Sequence, residues 1–73
     1  IRKQFLRVVI NPEDRELLYR LLSDMPYQVQ VVPVDNKSTY DIRTMFADSI
    51  EPVVWQVQKV PSAFYYRMED SNE

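Results

Sequence analysis

The apolar residues of this chain change their spacing several times, and each change marks the boundary of an element. Residues 4–10, Gln-Phe-Leu-Arg-Val-Val-Ile, are β-branched and aromatic, and alternation puts Leu6, Val8 and Ile10 on one face of a strand. Asn11-Pro12-Glu13-Asp14 then reads as a helix start, with Asn11 as N-cap, Pro12 at the first helical position and two acids against the positive end of the dipole. Leu17, Leu18, Leu21, Leu22 and Met25 follow as one apolar stripe, which Pro26 ends. Tyr27, Val29 and Val31 alternate with Gln28 and Gln30 in a second strand, and Pro33 predicts a bulge or a missing neighbour at its far end. Asp35-Asn36-Lys37 is a turn into a short third strand, Ser38 to Tyr40. Asp41 or Thr39 caps a second helix, in which Ile42, Met45, Phe46 and Ile50 recur at helical spacing. Pro52 opens a fourth strand over residues 53–58, with Val53, Trp55 and Val57 facing the helices and Gln56 and Gln58 facing water.

The element order is βαββαβ. It predicts an α+β open-faced sandwich, a four-stranded, mainly antiparallel sheet with two helices on one face. Residues 1–61 form the single domain, residues 62–68 an aromatic arm or extra C-terminal strand, and residues 69–73 a disordered acidic tail. Trp55 is expected in the core, against Leu18, Leu21, Leu22 and Phe46. The outer face carries Gln28, Gln30, Gln56 and Gln58, interrupted by Phe5, Val9, Val32 and Val54.

Composition narrows the chemistry. The 73 residues include no cysteine, histidine or glycine, which removes disulfides, the commonest metal ligands, the usual general base and any glycine-rich phosphate loop. The acid pairs Glu13/Asp14 and Glu69/Asp70 read as capping and surface charge, and residues 35–41 lack the ligand spacing of a calcium loop. No catalytic residues, metal or cofactor are therefore expected, and the chain reads as a non-enzyme. With 9 basic against 11 acidic side chains, the charge gives no footprint for nucleic acid or an anionic membrane. The apolar runs are far shorter than the roughly 20 residues of a membrane span. The start of the chain carries no export signal, so a cytoplasmic location is the expectation. A domain of this size buries only about 60% of the surface its unfolded chain exposes, so association with a partner or a second copy would add useful buried area.

The element order and one local motif resemble the histidine-containing phosphocarrier (HPr) domains of the sugar phosphotransferase system. Asp41-Ile42-Arg43-Thr44-Met45-Phe46 is similar to the family's regulatory stretch, with Arg43 at the basic position and Thr44 where its regulatory serine lies. The resemblance implies a βαββαβ body, over residues 4–58, and a second helix opening at this stretch. Ile10-Asn11-Pro12-Glu13 stands where the family places its phosphorylated histidine, so phosphoryl relay does not follow. Ferredoxin-like domains share the element order with a different strand order, and periodicity does not separate the two.

The leading functional expectation is a small, non-catalytic protein-interaction or regulatory domain, self-associating or binding another protein. Its surface comprises Arg43, Thr44 and Phe46 together with the arm residues Phe64, Tyr65, Tyr66 and Met68. Alternation along the arm sends Phe64, Tyr66 and Met68 to one side and Ala63, Tyr65 and Arg67 to the other. The alternative is a degenerate phosphocarrier-like effector regulated at Thr44, placed at a helix N-terminus. Nucleic-acid binding would require exposed aromatic and basic residues on one sheet face, where the sequence offers glutamines, valines and Arg7.

Overall fold

A computed structural model of the chain describes residues 4–26, 28–35, 38–44 and 50–70. Its elements are β1 (Gln4–Val9), a turn of 3₁₀ helix (Pro12–Asp14) running into α1 (Arg15–Ser23), β2 (Val29–Asp35), β3 (Thr39–Thr44), α2 (Ile50–Val57) and β4 (Phe64–Glu69). The fold is α+β, with a single sheet in the order β2-β3-β1-β4 and every neighbouring pair antiparallel. β1 and β2 thus run parallel with β3 between them, and β3 and β4 run parallel with β1 between them. Of the strand orders the element sequence leaves open, this is the interleaved, split β-α-β one.

The core lies between the sheet and the two helices. Leu6, Val8 and Ile10 come from β1 and its extension, Tyr40 and Ile42 from β3, Leu18 and Leu22 from α1, and Ile50, Val53, Val54 and Val57 from α2. Burial of a side chain of this kind contributes about 1.5–3 kcal/mol. Leu17, Leu21 and Met25 flank the buried stripe of α1 and are half-buried against it, as their spacing predicts. Asn11 is extended, and its carbonyl accepts the Asp14 amide at 2.9 Å, but its side chain makes no capping bond. The expected cap is replaced by a tie across the fold. Ser62 Oγ accepts the Asn11 amide at 3.0 Å and donates to Asp14 Oδ2 at 2.6 Å, joining the start of α1 to the segment that leads into β4.

Three expectations are corrected. Asp41 to Thr44 do not begin a helix; they extend β3, with Tyr40 and Ile42 in the core, while Met45 and Phe46 lie outside the described residues. Asp41 occupies a strand because it stands directly opposite Arg7 of β1, whose guanidinium neutralises it. Residues 53–58 are not a strand, since Ile50–Val57 is α2. Here Pro52 sits in the first turn, where its missing N–H is one that a helix leaves unbonded. The buried set becomes Ile50, Val53, Val54 and Val57, and Trp55 projects from the opposite side with 69% of its surface exposed. Finally, Glu69 closes β4 and Asp70 bonds Arg43, so neither belongs to a disordered tail. The aromatic segment forms the fourth strand of the sheet, paired along its length with β1.

Candidate functional site: the open face of the sheet

Because alternate side chains of a strand point to opposite faces, burial of Leu6 and Val8 under the helices turns Phe5, Arg7 and Val9 to the other side. Register adds their neighbours. Phe5 stands opposite Met68, Val9 opposite Phe64, and Arg7 opposite both Tyr66 and Asp41. Arg43 belongs to the same face as Asp41, two positions along β3.

Two ion pairs close the middle of this face. Arg7 grips Asp41 in bidentate fashion, Nε to Oδ1 at 2.7 Å and NH2 to Oδ2 at 2.9 Å. Arg43 NH1 donates to both carboxylate oxygens of Asp70, at 3.1 and 2.9 Å. The hydrogen bond to Asp41 raises the pKa of Arg7 above its ordinary value, outweighing partial desolvation, so this guanidinium stays charged wherever the protein is folded. Both cations also lie over Phe5, with the Arg43 guanidinium carbon 4.1 Å and that of Arg7 5.7 Å from the ring centroid. Phe5 is consequently only 5% exposed on a face that no described helix covers.

The β4 margin is different. Phe64 is 67% and Tyr66 43% exposed, with their rings 6.0 Å apart and tilted against each other. Val32, opposite Asp41 on β2, is exposed at the other margin. The face is thus an electrostatically satisfied centre with apolar borders, and the larger border is aromatic.

Among the residues predicted for a surface, Arg43, Phe64, Tyr66 and Met68 share this face. Tyr65 is on the helix side, packed against the core, where its hydroxyl accepts a hydrogen bond from Gln58 Nε2 at 2.9 Å. Thr44 ends β3 opposite Val29, and α2 opens later, at Ile50, so Thr44 is not at the start of a described helix. Phe46 lies outside the described residues. Sequence reasoning missed Phe5, Asp41 and Asp70. The period-two pattern of residues 4–10 already turned Phe5 and Arg7 to one side, but their partners come from β3 and the end of β4, which only the register supplies.

Among the described residues, no group of three or more acidic side chains is arranged to hold a metal ion. A groove of about 460 Å³ lies between α1 and β2, lined by Tyr19, Ser23 and Val29 among others. Another, of about 410 Å³, is lined by Met25, Pro52, Trp55 and Lys59 between the end of α1 and α2. Neither lining pairs a nucleophile with an orienting acid and base as group-transfer chemistry requires. No described helix is long and apolar enough to cross a membrane. Comparison with family models, with curated proteins and with solved structures finds no match to this chain.

Proposed function

We propose that this chain is a protein-interaction domain that docks a protein surface on β4 and the adjoining open face of the sheet. It acts by binding, without making or breaking bonds. The observation that carries this reading is the exposed Phe64–Tyr66 pair beside two guanidiniums already committed to carboxylates. Exposed aromatic rings bordered by polar groups are the usual anchors of protein interfaces. The alternative occupant of such a face is a single-stranded nucleic acid, with bases stacked on the two rings. Phosphates, however, would have to displace Asp41 from Arg7 and Asp70 from Arg43, and the chain's net charge is −2. Regulation at Thr44 has less support, because the phosphate would arrive at the end of a strand and not at a helix N-terminus.

The test compares nuclease-treated captures by the full chain, by a Phe64→Ser/Tyr66→Ser variant and by Trp55→Ser. Protein bound by the wild type and by Trp55→Ser, but lost from the double variant with its circular dichroism intact, supports the reading. Capture that follows Trp55 instead, or salt-dependent binding of a labelled single-stranded oligonucleotide lost in the double variant, overturns it.

A further inference from the structure

The hydrogen-bonding parity of the sheet identifies what β4 offers on its outer side. Ile10 donates its amide to the Ser38 carbonyl at 2.8 Å, just beyond the pairing of Val9 with Thr39. Alternation then turns the backbone groups of Leu6 and Val8 toward β3, and those of Phe5, Arg7 and Val9 toward β4. Their partners Met68, Tyr66 and Phe64 face inward to meet them. Tyr65 and Arg67 therefore direct N–H and C=O outward, on the side where β4 ends the sheet.

The same parity accounts for the opposite edge. Pro33 stands opposite Tyr40, whose backbone groups turn toward β1, so the N–H that proline lacks would have lain on the outer side of β2. The register shift between Pro33 and Asp35 interrupts that edge further. β4 has neither device, since it contains no proline and its register with β1 is unbroken. It is the edge on which another strand can add.

The occupant follows from self-complementarity. Two copies of β4 running antiparallel about a two-fold axis must set outward residues opposite outward residues, which restricts the axis to a residue position. An axis at Arg67 opposes two guanidiniums. An axis at Tyr65 sets Pro61, without an N–H, against Glu69, and an axis at Phe64, Met68 or Glu69 leaves little of the strand paired. An axis at Tyr66 sets Tyr65 opposite the partner's Arg67 and Phe64 opposite the partner's Met68. Both contacts are favourable, cation on aromatic face and thioether on ring. The outer residues are already braced, Tyr65 by Gln58 and Arg67 by its ion pair with Glu51 of α2.

We propose that β4 pairs antiparallel with β4 of a second copy about a two-fold axis at Tyr66, joining the two sheets into one. The proposal rests on the docking reading above and names its partner. At the axis the two Tyr66 side chains meet in a non-hydrogen-bonded pair, where Cα atoms approach to about 4.5 Å. The exposed Phe64–Tyr66 pair of each copy then continues across the seam.

The chain has no cysteine, so single cysteines report the register directly. Under mild oxidation Tyr66→Cys alone should form a covalent dimer at least tenfold faster than Trp55→Cys, because cysteines at the axis lie within disulfide range. Phe64→Cys and Met68→Cys should cross-link with each other when mixed, and poorly alone. Sedimentation of the unmodified chain should show a concentration-dependent monomer–dimer equilibrium, which Tyr66→Glu and Tyr66→Lys each abolish and their mixture restores. A chain monomeric at every concentration, or Tyr66→Cys no faster than Trp55→Cys, overturns the proposal. If that chain still captures a protein dependent on Phe64 and Tyr66, the docking reading stands with an outside partner; if it does not, both fall.

Discussion

Replacing Arg43 by alanine removes three interactions whose sizes follow from its position. The guanidinium lies 4.1 Å from the Phe5 centroid, a cation–π contact contributing about 0.5–1 kcal/mol at a partly exposed site. Its ion pair with Asp70 is screened by solvent and adds about 0.2–1 kcal/mol. Withdrawal of the side chain also uncovers one face of the Phe5 ring, roughly 40 Å² of apolar surface, or about 1 kcal/mol. The expected loss is therefore about 2 kcal/mol, which lowers the melting temperature of a domain this small by about 8–16 °C. Urea unfolding of Arg43→Ala, Phe5→Leu and the double variant, at one fixed protein concentration, separates the contributions. In the Phe5→Leu background the cation–π contribution is already gone, so Arg43→Ala should cost about 0.5–1 kcal/mol less than in the wild type. Asp70→Ala alone should cost less than Arg43→Ala, because it leaves the guanidinium free to stay over the ring. Equal cost of Arg43→Ala in both backgrounds would refute a cation–π contribution from Arg43 over the Phe5 ring.

Trp55→Ala should change stability by less than about 1 kcal/mol, against about 3–5 kcal/mol for a buried tryptophan, and iodide should quench its emission readily; a blue-shifted, protected emission would contradict the placement of α2. Leu18→Ala, at a position with no exposed surface, should cost about 2–5 kcal/mol in the same urea assay. Ser62→Ala should cost about 0.5–1.5 kcal/mol, because it removes the hydroxyl that links the Asn11 amide to the Asp14 carboxylate while the Ser62 amide still donates to Asp14; an unchanged midpoint would show that water replaces the hydroxyl.

Sequence reasoning read β1 and α1 at the right places because several independent signals agreed there: alternation in residues 4–10, proline and acids at the helix start, and a Leu stripe closed by Pro26. α2 was misread because Val53-Val54-Trp55-Gln56-Val57 fits both periods over so short a run, and Pro52 can open a strand or occupy a helix's first turn. The buried set also includes Ile50 at the start of α2 and Val60 in the turn beyond its end, which the strand reading leaves out. β3 was cut short at Tyr40 because Asp41 looks like a cap in isolation; its place in a strand depends on Arg7, far away in sequence. The candidate surface is half legible. The alternation of Phe64, Tyr66 and Met68 is visible in the sequence, whereas the strand they pair with, and hence the face they share with Phe5 and Arg43, is a property of the sheet order.

The most direct test is a backbone-amide NMR concentration series on the full chain. If β4 of one copy pairs with β4 of another, as proposed, shift changes on raising the concentration should gather at Phe64 to Glu69 and in β1, and the outward amides of Tyr65 and Arg67 should gain protection from hydrogen exchange. Changes gathered instead around Trp55, Pro52 and Lys59, with Tyr65 and Arg67 exchanging freely at every concentration, would contradict it.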